Sequence, residues 1–138
     1  MHEHFIRNPV IVGKEGEMNL MRNLAKDGVL VEIGYKMNWK MGQLVKRSHG
    51  PRGDWVQLDL YDLATKWVYD SKIGRRSLTR DLYYRAGLQG QLIARGFVNG
   101  ITWISQPDSS GDFGFDEGLA WRIWKDFGIV TGMSRTRK

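Results

Sequence analysis

The alternation of apolar and polar positions divides the chain into short segments of differing period. Leu20, Met21, Leu24 and Ala25 recur at helical spacing, so a first helix is predicted over Glu17 to Asp27, with Gly28 as its stop. Val29, Val31, Ile33 and Tyr35 then alternate, as along a half-buried strand, and Pro9 to Val12 reads as another short strand. Lys36 to Asp54 has weak periodicity and ends in a Gly- and Pro-containing turn, Ser48 to Asp54. Val56, Leu58 and Leu60 alternate, whereas Leu60, Leu63, Ala64, Trp67 and Val68 fit helical spacing, which predicts a strand passing into a second helix near Leu60.

Further along, Ser77 stands as an N-cap for a helical segment from Leu78 toward Arg95, weakened at Gly87 and Gly90 and so readable as two helices joined by a kink. Phe97 to Ile104 is extended, the loop Gln106 to Gly111 follows, and Phe113 to Phe115 completes a hairpin candidate. A last helix begins near Asp116, carries Leu119, Ala120, Ile123, Trp124 and Phe127 on one apolar face, and stops at Gly128. The expectation is one α+β domain over residues 1–138, with about four helices, short and mostly antiparallel strands, and a flexible basic tail at 134–138. The helix around Leu63 to Trp67, the turn Lys72 to Arg76, the helix opening Ser77 to Leu82 and the hairpin candidate follow one another in an order that is similar to the winged-helix arrangement. That resemblance covers about half the chain and implies a DNA-reading helix led by Arg80, with a wing that would present Asp108 and Asp112.

Composition sharpens the picture through charge. Among 138 residues, 21 Lys and Arg stand against 15 Asp and Glu, a net +6. The pI near 9.7 lies in the range where nucleic-acid binding is suspected. The signs are segregated, which favours a steering field over a merely soluble surface: bases gather at Lys36, Lys40, Lys46, Arg47 and Arg52 and again at Lys72, Arg75, Arg76, Arg80 and Arg85, acids at Asp108, Asp112, Asp116 and Glu117. The absence of cysteine excludes disulfides, thiol catalysis and Cys-based metal sites. No apolar run is long enough to span a membrane, and Met1 to Phe5 lacks a signal-peptide layout, so a cytoplasmic protein with no membrane partner is expected.

The leading reading is a small nucleic-acid-binding regulator, DNA being favoured over RNA, without cofactor, metal or enzymatic activity. Its contact residues would be Lys36, Trp39, Lys40, Arg47, Arg52, Arg75, Arg76 and Arg80, the cations neutralising phosphates and Trp39 free to stack on a base. Most other aromatic residues are assigned to packing. An alternative is a protein-interaction module or inhibitor that binds an acidic surface of a host enzyme or transcription complex, using Trp and Arg as anchors. A third is a metal-dependent nuclease built on His49 with Asp54 and Asp59, a general base beside two carboxylates. Phosphate-binding, dinucleotide and hydrolase motifs are absent.

Overall fold

A computed structural model describes residues 9–46 and 53–134. The elements in chain order are α1 (Pro9–Lys26), β1 (Tyr35–Asn38), β2 (Leu44–Lys46), β3 (Trp55–Leu58), β4 (Leu60–Asp62), β5 (Trp67–Ile73), β6 (Arg75–Arg76), α2 (Arg80–Ala94), β7 (Gly100–Gln106), β8 (Gly114–Phe115), α3 (Glu117–Phe127) and β9 (Val130–Met133). The main sheet has the order β4-β5-β7-β9; β4 runs antiparallel to β5, while β5, β7 and β9 are mutually parallel. A three-stranded antiparallel sheet, β2-β1-β3, leads into it, and β6 and β8 form a short parallel pair.

Parallel neighbours need crossovers, and the two amphipathic helices supply them: α2 connects β5 to β7, and α3 connects β7 to β9. Both lie on one face of the main sheet. Leu82, Ala86 and Leu92 of α2 and Leu119 and Ile123 of α3 join Val68, Ile101 and Trp103 in the larger core. Helix α1 lies on the opposite face, where Leu20, Met21 and Leu24 meet Tyr69 and Ile104. The period-two geometry of a strand sends Val68 to one core and Tyr69 to the other, so the centre of β5 is covered on both sides.

The α+β class and the span of the last helix agree with the sequence expectation, although Trp124, placed on its apolar face, is exposed, and β7 overlaps the predicted extended segment but runs on to Gln106. Other elements differ. Pro9 to Val12 opens α1 instead of forming a strand, with proline at the first helical position, where its missing N–H costs nothing. Between Val29 and Tyr35 the only strand features are a bridge at Glu32 and the first residue of β1. The predicted helix from Leu60 to Val68 is the β4–β5 hairpin. Its turn is held by Asp62 Oδ1, which accepts bonds from Ala64 N at 3.0 Å and Thr65 N at 3.4 Å, so a local side-chain bond defeats the helical spacing.

Helix α2 is continuous through both glycines, because α3 packs closely against it: a Cβ on Gly90 would lie 2.8 Å from Phe127 Cβ. Its cap is Thr79, whose hydroxyl accepts from Leu82 N at 3.1 Å, while Ser77 is exposed. The described residues therefore hold three helices where about four were expected, and the strands are mixed in direction. The winged-helix order does not form, since its first helix is a hairpin and its supposed wing strands separate, β8 pairing with β6 and β7 with β5 and β9. Gly128 ends α3 as predicted, in the left-handed conformation at φ 75°. No described helix is long and apolar enough to cross a membrane.

Candidate functional site

Strand β5, Trp67-Val68-Tyr69-Asp70-Ser71-Lys72-Ile73, turns every second residue into the core beneath α2. Those residues are Val68, Asp70 and Lys72, so an apolar position is followed on the same face by two opposite charges. Asp70 is 5% exposed and Lys72 8%. Lys72 Nζ lies 3.0 Å from Asp70 Oδ1 and 4.5 Å from the centre of the Trp103 ring, held by charge on one side and by the aromatic face on the other.

A chain of hydrogen bonds fixes Asp70 from the helix side. Trp103 Nε1 donates to Gln89 Oε1 at 2.6 Å, which orients the amide so that Gln89 Nε2 donates to Asp70 Oδ2 at 2.8 Å. Gln89 is itself buried on α2. Oδ2 is thereby satisfied, but Oδ1 receives no hydrogen bond of acceptable geometry, despite the nearby ammonium. A buried carboxylate oxygen whose only close partner is a poorly aligned ammonium retains unused accepting capacity.

Asp59 completes the site. It is the residue between β3 and β4, where the strand run passes from one sheet to the other. The β4–β5 register pairs Leu60 with Tyr69, so one step back along the hairpin sets Asp59 opposite Asp70. Burial, the adjacent Asp70 charge and a hydrogen bond to Asp70 push the Asp59 carboxyl up to about 9, with Glu17 adding to the rise and Lys72 opposing it. Burial also acts to raise Asp70, but the Lys72 charge together with hydrogen bonds from Asp59 and Gln89 outweighs it and holds this group below the usual range. At neutral pH the pair keeps one proton, carried by Asp59 and donated to ionised Asp70. Glu17, half-buried on α1, is raised by burial and by the Asp70 charge, against the pull of Lys14. The site thus comprises two touching carboxyls, a third within electrostatic reach and a buried lysine. Among the described residues no three acidic or histidine groups converge into a finished metal cage.

The sequence-predicted contact residues fall into two separate groups. Lys36 lies on β1, and Trp39 and Lys40 lie in the following turn. Trp39 is half-buried against the core with the Arg95 guanidinium 5.7 Å from its ring, and Lys40 pairs with Asp54 at 3.3 Å. Arg75 pairs with Asp116 at 3.0 Å, Arg76 donates through Nε to the Ile73 carbonyl at 3.2 Å, and Arg80 opens α2, exposed. Arg95 caps the far end of α2 and donates to the Lys40 carbonyl, so the Trp39 turn and Arg80 stand at opposite ends of a 15-residue helix, roughly 22 Å apart. Lys36 and Arg80 meet no carboxylate among the described residues. Arg47 and Arg52 lie outside the described residues, as do His49 and residues 135–138 of the basic tail.

The sequence cluster of His49, Asp54 and Asp59 does not assemble as expected: Asp54 and Asp59 flank the two ends of β3, about 16 Å apart along the strand. Asp59 instead joins Glu17, Asp70, Lys72 and Gln89, none of which was singled out from sequence as a site residue. The available signal was two opposite charges two residues apart in an otherwise apolar-alternating strand, hidden when Trp67 and Val68 were read as the end of a helix. The chain matches no protein-family model, and comparison with curated proteins and with solved structures finds no significant match.

Proposed function

We propose that the protein is a divalent-metal-dependent phosphodiesterase acting on nucleic acid, with its centre at Asp59, Asp70 and Lys72. The observation that carries this reading is the buried Asp70 Oδ1, which lacks an aligned hydrogen-bond donor although the Lys72 ammonium lies 3.0 Å away, on a carboxylate set against the raised Asp59 carboxyl. A hard cation such as Mg²⁺ or Mn²⁺ takes oxygen ligands, and displacing the proton from Asp59 supplies a second one. The cation lowers the energy of negative charge developing on a phosphoryl group.

The residues then have distinct tasks. Asp59 and Asp70 would hold the cation, and Gln89, itself oriented by Trp103, sets the rotation of Asp70. The Lys72 ammonium faces the same oxygen and stabilises charge on the phosphate or orients the attacking water. Water adds to phosphorus, the bond to the leaving sugar oxygen breaks, and that oxygen takes a proton. Net charge +6, with Lys36 and Arg80 meeting no carboxylate among the described residues, favours a polyanionic substrate over a small neutral one.

The test is incubation of labelled single- and double-stranded oligonucleotides with Mg²⁺, Mn²⁺ or chelator. Cleavage is expected only with metal, and it should fall about 100-fold or more in Asp70→Asn and in Lys72→Ala. Intact substrate under all metal conditions would reject the catalytic reading. The same positive charge supports a second reading, a nucleic-acid-binding regulator without chemistry. That reading predicts steeply salt-dependent binding which persists in chelator and is unchanged in Asp70→Asn.

A further inference from the structure

Helix α3 buries Leu119 and Ile123 but leaves Trp121 60% and Trp124 55% exposed. Beside them runs β9, the edge strand of the main sheet, with Val130 and Met133 also exposed. The two elements enclose a groove of about 560 Å³ whose lining includes Trp121, Trp124, Val130 and Thr131. Two features are unusual in a free edge. Its sequence, Val130-Thr131-Gly132-Met133, contains no charge or proline to discourage strand addition, and it is flanked by large apolar side chains.

We propose that this edge is the interface with a second copy of the chain, β9 pairing antiparallel with its counterpart across a two-fold axis normal to the sheet near Thr131 and Gly132. Such an axis keeps α3 of both copies on the same face of the joined sheet and sets each pair of tryptophans against the other copy. An uncharged strand meets itself without like-charge conflict, the condition a self-complementary interface imposes. The four exposed side chains alone offer on the order of 450 Å² per copy, more than half of the roughly 800 Å² that each partner brings to a standard interface. The paired β9 backbones add to this.

Register gives the pairing a consequence that rests on the phosphodiesterase reading. Asp70 is opposite Trp103, and Trp103 is opposite Thr131, so Asp70 stands level with the centre of β9. A two-fold axis there brings the two Asp70 residues to the same height, five strand spacings or about 24 Å apart, on one face of a continuous sheet.

Sedimentation velocity of the full chain over a range of micromolar concentrations tests the interface. The expected result is a dimer that becomes monomeric in Val130→Lys and in Trp124→Glu, both exposed positions, with circular dichroism confirming that each variant is folded. A monomeric wild type, or a dimer that survives both substitutions, would overturn the proposal. With supercoiled circular DNA and Mn²⁺, the wild type should yield linear product directly, and the monomeric variants should accumulate nicked circles. A dimer that cleaves nothing would sink the phosphodiesterase reading and leave the interface standing; cleavage by a monomeric wild type would do the reverse.

Discussion

Replacing Asp59 with asparagine tests the charge arrangement of the site without relying on activity. Asparagine imitates the protonated carboxyl, since its amide can donate to Asp70 as the acid O–H does, but it cannot ionise. In the native protein Asp59 holds its proton up to about pH 9, whereas in the unfolded chain it loses it near 3.8. Between those values the native state binds one proton more than the unfolded state, so stability falls as pH rises. A single group of this kind gives a slope of at most about 1.4 kcal/mol per pH unit, less where solvent reaches the half-buried carboxyl. Asp70, with its native value lowered, contributes in the opposite sense only at acidic pH, where its stabilisation is lost as pH falls. Urea unfolding from pH 5 to 8 should therefore find Asp59→Asn increasingly more stable than wild type as pH rises, by of order 1 kcal/mol per unit. Added Mn²⁺ should reverse the ranking: a cation at 100 times its dissociation constant stabilises the wild type by about 2.7 kcal/mol and the variant much less. Parallel stability curves for the two proteins across this range would refute the shared-proton arrangement.

Gln89→Leu removes the link between Trp103 and Asp70 and leaves a buried indole N–H and a buried carboxylate oxygen without partners. A loss of about 1–3 kcal/mol for each is expected in urea unfolding, together with loss of metal-dependent cleavage. Thr79→Ala should cost about 1 kcal/mol by removing the α2 cap, whereas Ser77→Ala should change thermal unfolding by less than about 0.5 kcal/mol. Equal effects at these two positions would contradict the observed helix start.

What could be read from the sequence depended on whether local chemistry and tertiary packing agreed. Helix α3 was legible because its apolar stripe, acidic start and terminal glycine all indicate the same element. The β4–β5 hairpin was not. Leu60, Leu63, Ala64, Trp67 and Val68 happen to fit a helix, and only the Asp62 side chain, by capping the turn amides, and the parallel pairing of β5 with β7 decide for strand. Neither influence is visible in a count of apolar positions. Continuity of α2 was hidden for a related reason: two glycines lower helix propensity, but at Gly90 the missing side chain is what lets Phe127 approach.

The same misreading concealed the site, and its cause is physical. A buried Asp-Lys pair two residues apart produces no apolar signal, so the strand that carries it loses the pattern by which strands are recognised. Its energetics explain why this breach of patterning deserves a functional interpretation. Desolvating both charges costs several kcal/mol per ion before their attraction is counted, and setting Asp59 against Asp70 adds repulsion that a retained proton and the Lys72 charge relieve. Apolar side chains of similar volume would fill the space beneath α2 at lower cost, as Ile101 and Leu92 do nearby. Basic residues on the surface would serve a purely binding protein equally well with an apolar β5. Under the proposed reading, a centre that took up a cation would need what the sequence retains at Asp59, Asp70 and Lys72: oxygen ligands held in place before any metal binds, with a positive group beside them.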